Sequence, residues 1–236
     1  MLYDNHVFVT ESQARRMVES LFDTLPNNNE RILYIGEVNL FLTTVRKYCD
    51  ENDSGVPEGV GIHPRSKTIQ ELRDSYDSGR FYDIDFLSSD IGKFDYVLGT
   101  GLSMPEDALS TERKEKYREK FNSTVRSYNN VSSLFFEQAV SHLRQGGRTS
   151  FSLPMTFETS ESDRQLRKWI TDNYHVISIE EFKDEDEPES VGNRLLVTVA
   201  NEELGVTEVP AGEVKLPKDG DNWAPAIKGV SSPGSS

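Results

Sequence analysis

Residues 132–154 read SSLFFEQAVSHLRQGGRTSFSLP, and this stretch decides the fold. Within it, residues 134–143 repeat apolar side chains at helical spacing and predict an amphipathic helix. Gly146 and Gly147 break that helix, and residues 148–153 form a short apolar run that is typical of a buried strand. A helix that leads directly into a strand is the repeating unit of an α/β fold.

The same unit recurs on both sides of this stretch. Strands are predicted where short apolar runs end at a glycine, a proline or a polar turn, and helices where apolar residues recur three or four positions apart. The predicted strands are RILYIG (31–36), 58–62, 81–87, 94–98, 148–153, 175–182 and 194–200. The predicted helices cover residues 10–25, about 39–49, 66–76, 134–143 and the surroundings of 165–170.

Strands that alternate with helices predict an α/β protein with a doubly wound, mostly parallel sheet of seven strands. No helix is predicted between the last two strands, so we expect them to pair as a C-terminal hairpin and make the sheet mixed. Residues 1–200 are therefore assigned to one domain, with residues 1–30 as an N-terminal helical segment. Residues 201–236 are rich in Gly, Pro, Ser and Asp, and we expect an extended or disordered acidic tail.

The composition describes an acidic protein. The 236 residues include 40 Asp and Glu against 26 Lys and Arg, which gives a formal net charge of −14. Such a surface disfavours a polyanion, because Lys and Arg contacts and released counterions drive affinity for nucleic acid. We favour a salt-loving, haloarchaeal host as the explanation, because salt screens the self-repulsion of an acidic surface. On that explanation the acidity argues neither for nor against DNA as a partner.

The first residues and the cysteine content favour a reducing, cytoplasmic setting. The N-terminal sequence MLYDNHVFVTES lacks a basic region followed by an apolar stretch, so no signal peptide is predicted. No apolar run reaches the about 20 residues that a membrane span needs. Cys49 is the only cysteine, which excludes an internal disulfide, and the histidines show no metal-ligand spacing. We therefore expect neither a membrane anchor nor a metal site.

Several junctions, in this order, resemble those of the adenine-specific DNA methyltransferases of restriction-modification systems. They are KFDYVLG (93–99), YREKF (117–121), the stretch 132–154 and RQLRKWITDNYHVISIEEF (164–182). Members of that family carry a strand that ends at the catalytic motif, a helix closed by Gly-Gly, a strand that ends in Leu-Pro, and a helix before a strand that ends in Asp/Glu-Phe. The resemblance runs from about residue 8 to residue 200. It implies a Rossmann-like fold, S-adenosyl-L-methionine as cofactor, and DNA or a partner protein subunit as interaction partner.

The resemblance also assigns positions to the cofactor. FVTE (8–11) stands at the family's Phe-Tyr-Thr-Pro, so Phe8 and Thr10 would lie against the methionine part. ILYIGEVNLFL (32–42) stands at the family's glycine-rich loop, where Gly36 and Asn39 would contact the cofactor. Asp85, in DIDFL, stands where the family has an acidic residue. Gly36 and Asp85 can equally be read as plain turn residues.

This loop departs from the family's pattern. Glu37 and Val38 follow Gly36 where a second glycine belongs, and Tyr34 replaces the aspartate expected before the loop. After the second strand, His63 stands near the place of the acidic residue that holds the ribose hydroxyls, and we read it as an exposed turn residue. A Gly-x-Gly loop lets a ligand approach the backbone closely, and a carboxylate accepts two hydrogen bonds where an imidazole offers one. We therefore expect impaired cofactor binding.

The stretch after the fourth strand departs further. The family's Asn/Asp-Pro-Pro-aromatic motif accepts the hydrogens of the adenine amine and stacks a ring on the flipped base, which supplies about 1–3 kcal/mol per base. Here the four positions are Thr100, Gly101, Leu102 and Ser103. A threonine hydroxyl is a weaker acceptor than a carboxylate, glycine lacks the fixed φ of proline, and serine cannot stack.

Three functions remain open at this point. The leading hypothesis is a catalytically inactive protein of methyltransferase fold that binds a partner protein or DNA. The second is an active but divergent DNA adenine methyltransferase that uses S-adenosyl-L-methionine. The third is a non-catalytic subunit that positions a complete methyltransferase or restriction subunit, because no target-recognition domain is recognisable after the catalytic-like region.

Overall fold

The computed structural model describes residues 9–63, 66–76, 79–101, 109–121, 131–182 and 193–229. The helices are α1 (Glu11–Leu21), α2 (Val38–Glu51), α3 (Ser66–Ser75), α4 (Thr111–Lys120), α5 (Val131–Ser141), α6 (Arg164–Asn173) and α7 (Ala224–Ile227). The strands are β1 (Arg31–Ile35), β2 (Glu58–Ile62), β3 (Arg80–Tyr82), β4 (Phe94–Thr100), β5 (Leu143–Pro154), β6 (His175–Phe182), β7 (Arg194–Ala200), β8 (Thr207–Val209) and β9 (Gly212–Val214).

The strands form one mixed sheet in the order β3-β2-β1-β4-β5-β7-β6-β8-β9. The pairs among β1 to β5 are all parallel, whereas β7 runs antiparallel to both β5 and β6. The predicted mixed sheet and its C-terminal hairpin are therefore confirmed. The strand order reverses between β1 and β4, and in open α/β sheets such a switch point leaves a crevice at the carboxyl ends of the strands, where ligands bind.

Apolar side chains alternate along the central strands and build a core on each face of the sheet. On β4, Val97 belongs to the cluster that includes side chains of α4, α5 and α6, whereas Leu98 belongs to the cluster that includes side chains of α1, α2 and α3. Because both faces are covered by helices, the central strands are apolar on both sides. This explains the short apolar runs by which the strands are recognised in the sequence.

The third strand is shorter than predicted. β3 ends at Tyr82, and Phe86–Ser88 form a 3-10 turn instead of continuing the strand to residue 87. Asp85 caps this turn by accepting a hydrogen bond from the Leu87 backbone N–H at 3.1 Å. Aspartate side chains compete with strand hydrogen bonding in this way, which favours a turn over an extended run.

The sheet has nine strands where seven were predicted, because the segment after Ala200 adds β8 and β9. The expectation of an extended or disordered tail is therefore wrong over much of this segment. Trp223 is fully buried and packs edge-on against Phe157, with ring centroids 5.7 Å apart. The composition was misleading because a few apolar anchors hold a segment that is otherwise polar and rich in Gly and Pro.

Among the residues that the structure describes, no helix combines the length and the apolar character that a membrane span requires.

Candidate functional site

The crevice at the switch point lies between the ends of β1 and β4. Gly36 follows β1 with a φ of +86°, and Thr100 ends β4 with 1% of its surface exposed. A Cβ built on Gly36 would lie 2.3 Å from the Thr100 Oγ1 and 3.2 Å from the Thr100 carbonyl oxygen. The Thr100 side chain therefore lies directly against the Gly36 backbone, and both this contact and the positive φ require glycine.

A second buried hydroxyl lies beside Thr100. Ser152 is its register partner on β5 and is fully buried. Strand alternation places Ser152 on the sheet face opposite Phe151 and Leu153, which belong to the cluster of α4, α5 and α6. Neither the Thr100 nor the Ser152 hydroxyl has a hydrogen-bond partner among the described residues. A buried hydroxyl left without a partner costs about 1–3 kcal/mol, so these two unpaired hydroxyls destabilise the fold.

Gly101, the first residue after β4, packs tightly on α5. A Cβ on Gly101 would lie 2.5 Å from the Ser132 Cα, so the Gly101 backbone lies directly against the first turn of the helix. Gly101 therefore has a packing role besides its place in the motif. Leu102 and Ser103, the last two positions of the predicted catalytic stretch, lie outside the described residues.

Thr10 caps α1. Its hydroxyl accepts a hydrogen bond from the Gln13 backbone N–H at 3.2 Å, and the Gln13 Oε1 accepts one from the Thr10 N–H at 3.3 Å. This reciprocal pair is a capping box, which satisfies two of the free N–H groups at the start of a helix. Phe8, the other residue predicted at this position of the site, lies outside the described residues.

Asn39 lies in the first turn of α2 and is exposed. Its Oδ1 accepts a hydrogen bond from the Tyr76 hydroxyl at 2.7 Å, which links α2 to the end of α3. The structure thus brings Gly36 and Thr100 together but gives the Asn39 amide a partner on a neighbouring helix.

Asp85 is held by three hydrogen bonds from the protein. Besides the Leu87 N–H, its carboxylate accepts from the Ser88 Oγ at 2.7 Å and from the Tyr117 hydroxyl at 3.2 Å. Tyr117 belongs to α4 and is buried. The carboxylate therefore closes a turn and ties it to α4, as the turn interpretation of Asp85 predicts.

His63 is buried, with 6% of its surface exposed, and not the exposed turn residue that was predicted. Its backbone N–H donates to the Tyr82 carbonyl oxygen at 3.1 Å, so the ladder between β2 and β3 continues past the end of β2. The proline that follows His63 suggested a turn, but pairing with the neighbouring strand keeps this residue covered.

Sequence reasoning missed the role of Glu37, which stands at the start of α2 beside Gly36. Its side chain makes no capping hydrogen bond, and burial raises the pKa of its carboxyl group. The available signal was its position: a lone acidic residue between Gly36 and the buried Val38, in an otherwise apolar stretch. An acidic side chain thus lies half-buried at the mouth of the crevice.

A buried polar cluster beyond the end of β5 was also missed. The Ser133 Oγ donates to the Asp163 Oδ1 at 2.6 Å, and all three side chains of Ser133, Asp163 and Arg167 are buried. Burial raises the pKa of the Asp163 carboxyl and lowers that of the Arg167 guanidinium. Arg167 donates to backbone carbonyl oxygens at 2.7, 2.8, 2.9 and 3.3 Å, namely those of Phe157, Ser160, Gly220 and Asp221. The four-residue spacing of Asp163 and Arg167 around apolar Leu166 was the signal for it.

Within the described ranges, no group of three or more His, Cys, Asp or Glu side chains is placed to hold a metal ion.

Solved methyltransferases share this sheet at low sequence identity. A Listeria monocytogenes protein assigned to the class I S-adenosylmethionine-dependent methyltransferases has 17% identity and a TM-score of 0.67, over 91% of this chain and 64% of its own. A type I restriction-modification methyltransferase subunit from Streptococcus thermophilus has 13% identity and a TM-score of 0.65, over 95% and 53%. A Vibrio vulnificus protein assigned as a modification subunit of a type I restriction enzyme has 13% identity and a TM-score of 0.61, over 95% and 52%.

These similarities confirm the predicted Rossmann-like fold of S-adenosylmethionine-dependent methyltransferases. The chain spans between about half and two thirds of the length of these proteins. No curated protein matches it by sequence. Residues 29–187, which are more than half of the chain, match the profile of the Eco57I restriction-modification methylase, and the chain therefore belongs to that family.

Proposed function

We propose that this chain is a catalytically inactive member of its family, a methyltransferase-like protein of a restriction-modification system that binds a partner protein or DNA. The observation that carries the proposal is the contact between Thr100 and Gly36, where a Cβ would lie only 2.3 Å from the threonine Oγ1. A ligand of an open α/β sheet binds at this switch point by approaching the glycine backbone. On this side of Gly36, the Thr100 side chain occupies that approach.

The polar groups assigned to the cofactor support the same proposal, because each has a partner within the protein. The Asp85 carboxylate accepts from Leu87, Ser88 and Tyr117, and the Asn39 amide oxygen accepts from Tyr76. A bound nucleoside would have to displace these hydrogen bonds before it gained its own. Displacing a hydrogen bond that is already made removes most of the net gain of about 1 kcal/mol that a new hydrogen bond brings.

Glu37 adds a steric argument. It follows Gly36 where the family's loop runs on to a second glycine, and its side chain lies half-buried at the start of α2. A Gly-x-Gly loop exposes its backbone to a ligand, and a side chain at this position reduces that exposure. We infer that the described residues of the crevice do not fit the cofactor, and we derive no methyl-transfer step for this chain.

The role as a partner subunit follows from the same reasoning. The Streptococcus thermophilus protein of similar fold is a methyltransferase subunit of a type I restriction-modification system, and the Vibrio vulnificus protein is assigned as a modification subunit of a type I restriction enzyme. A subunit that keeps the sheet and loses its own chemistry can still position a complete methyltransferase or restriction subunit.

One observation favours the second candidate, an active and divergent adenine methyltransferase. The hydroxyls of Thr100 and Ser152 are buried without a partner among the described residues. Buried polar groups are normally satisfied, so an unpaired set at a strand end is a place where a ligand could supply the missing bonds.

Calorimetry with S-adenosylmethionine and S-adenosylhomocysteine decides between the two candidates. We expect no binding heat up to about 1 mM ligand, which corresponds to less than about 4 kcal/mol of affinity. The measurement is repeated at about 0.15 M and about 2 M KCl, because salt screens the charge of an acidic chain. The double variant E37G/T100A removes the two side chains that, on this proposal, prevent the cofactor from binding. Binding that appears only in this variant supports the proposal, and micromolar binding by the unaltered chain overturns it.

A transfer assay tests the chemistry itself. Adenine-containing DNA is incubated with cofactor that carries a labelled methyl group, with the chain alone and with any subunit that co-purifies with it. We expect no label in DNA from the isolated chain. Label that appears with the unaltered chain and disappears with Thr100→Ala establishes the active candidate instead.

A further inference from the structure

A cavity of about 510 Å³ lies between α2 and the start of β2, away from the crevice at the carboxyl ends of the strands. Tyr34, Leu42 and Pro57 line its buried part, and Asn28 and Asp50 line its exposed part. Its volume falls within the range of about 300–1,000 Å³ that is typical of small-molecule sites. Gly36, Asn39, Asp85 and Thr100, which the family resemblance assigns to cofactor or catalysis, do not line this cavity.

Tyr34 supplies the buried polar group of the cavity. Only 1% of its surface is exposed, and its ring lies over Gly59, where a Cβ would come within 3.0 Å of the ring carbon Cε2. Its hydroxyl makes no hydrogen bond to any described residue, although the side chain lines the cavity. Burial raises the pKa of Tyr34, so the phenol stays protonated and can donate a hydrogen bond.

The charges around the cavity favour a neutral ligand. Arg46 on α2 forms one wall and lies over the Tyr76 ring at 4.7 Å, and Asp50 lies one turn further along the same helix. Glu58 also lines the cavity, but Arg31 and Arg80 are within 3.8 and 3.2 Å of it. The remaining charged groups of the lining are Arg46 and Asp50, which have opposite signs, so the cavity selects neither an anion nor a cation. A neutral molecule with both donors and acceptors matches both groups.

The shapes of the lining groups narrow the class further. Guanidinium, carboxylate and amide groups are flat and pair with the donor and acceptor edges of nucleobases, as arginine, aspartate and asparagine do in base recognition. Arg46, Asp50 and Asn28 supply these three groups here. Leu42 and Val56 supply apolar walls for the faces of a planar ring. Enzymes that hold single bases combine these two kinds of contact.

We propose that this cavity binds a nucleobase, free or as a nucleoside, with the Tyr34 hydroxyl donating to a ring acceptor and Arg46 and Asp50 pairing with its edge. Tyr34 stands where the family resemblance calls for an aspartate before the glycine-rich loop. The same replacement that removes a carboxylate beside the crevice thus places a phenol in the cavity under α2. This inference does not depend on whether the crevice binds cofactor.

Amide chemical shifts of the full, ¹⁵N-labelled chain locate the ligand. Adenosine, guanosine, cytidine and uridine are added separately up to about 5 mM, enough to detect a millimolar site. We expect at least one of them to shift the amides of Gly59 and Gly79, which line the cavity, and to leave Gly36 and Thr100 unchanged. Shifts confined to Gly36 and Thr100 would assign the nucleoside to the crevice and overturn the inference, and so would the absence of any shift.

Affinity measurements on variants test the role of the hydroxyl. Tyr34→Phe keeps the ring and removes one hydrogen bond, so we expect affinity to fall roughly threefold to tenfold. Tyr96→Phe is the matched control, because that hydroxyl bonds Glu30 at 3.1 Å and does not line the cavity. We expect it to leave affinity unchanged. Arg46→Gln provides a second test if Tyr34→Phe does not fold. Unchanged affinity in Tyr34→Phe, or in Arg46→Gln where Tyr34→Phe does not fold, contradicts the inference.

Discussion

Two neighbouring places at the carboxyl edge of the parallel strands use their buried polar groups in opposite ways. Beyond β5, Asp163 accepts from Ser133, and Arg167 donates to four backbone carbonyls. At the ends of β1 and β4, the Thr100 hydroxyl has no partner among the described residues, and the Glu37 carboxyl caps nothing. Satisfied buried groups stabilise a fold, whereas unsatisfied ones cost free energy. We therefore expect the free energy of unfolding to depend on the cluster of Ser133, Asp163 and Arg167. We expect it to tolerate the loss of the Thr100 hydroxyl at the crevice.

The largest expected effect is at Arg167. Arg167→Met keeps the apolar stem and leaves four carbonyl oxygens without their donor, two of them in fully buried hydrogen bonds, so we expect the free energy of unfolding to fall by about 3–5 kcal/mol. Denaturant unfolding measures this. Arg164→Met on the same helix is the control, because Arg164 pairs with Glu161 at the surface and such pairs contribute at most about 1 kcal/mol. If Arg167→Met and Arg164→Met lost similar free energies of unfolding, the hydrogen bonds of Arg167 would not be a special source of stability.

The second effect tests the Gly36–Thr100 contact. Gly36→Ala imposes a positive φ on alanine, at about 1–2 kcal/mol, and adds a clash with Thr100 that typically costs a further 1–3 kcal/mol. Gly92→Ala is the matched control, since Gly92 has a φ of +84° and no atom within 4 Å of the added Cβ. We expect Gly36→Ala to cost clearly more than Gly92→Ala, and Thr100→Ala in the same chain to recover the difference. Equal losses at the two glycines would mean that the crevice is open.

A smaller effect compares two buried threonines. The Thr198 Oγ1 donates to the Ser20 Oγ at 3.0 Å, whereas the Thr100 Oγ1 has no partner among the described residues, and both are 1% exposed. We expect Thr198→Val to cost about 1 kcal/mol, and Thr100→Val to be neutral or stabilising by up to about 1 kcal/mol. Thermal unfolding of both variants checks this. A clear loss at Thr100 would show that its hydroxyl has a partner after all.

Most of the helices and strands could be predicted from the sequence, but few of the contacts between them could. The α5–β5 unit was predictable because apolar spacing changes from helical to strand period within residues 132–154. Gly36 and Thr100 could be placed at strand ends, but their contact depends on the parallel register of Ile35 with Gly99, which no local pattern encodes. β8 and β9 have three residues each, too few for a periodic pattern to be recognised.

For the candidate site, too, the sequence indicated residues but not their contacts. The resemblance assigned Thr10 and Asp85 to the cofactor site, but their hydrogen bonds to Gln13 and Tyr117 become apparent only in the structure. The cavity beside Tyr34 is formed by α2, the start of β2 and the residue before β3, which meet only after folding. The sequence showed that Tyr34 departs from the family but not where its side chain lies.

The smallest effect concerns pH. Burial raises the pKa of Asp163, so above the ordinary value of 3.8 the folded chain holds a proton that the unfolded chain has lost. That contribution to stability is present in acid and is lost as the pH rises through the folded-state pKa. Asp163→Asn removes this contribution. We therefore expect the stability of the variant, relative to that of the unaltered chain, to rise as the pH increases. Asp172→Asn, at an ion pair near the end of α6, controls for the lost charge. A difference that stays constant with pH would contradict the expectation.

The burial of Trp223 has a practical consequence for anyone who produces this protein. A cut after residue 200 would be the natural choice from composition, but it would leave the face of Phe157 uncovered and remove two of the four acceptors of Arg167. Expression plasmids that stop there should yield aggregating material. Affinity tags are better attached beyond residue 229, where they leave the docked segment in place.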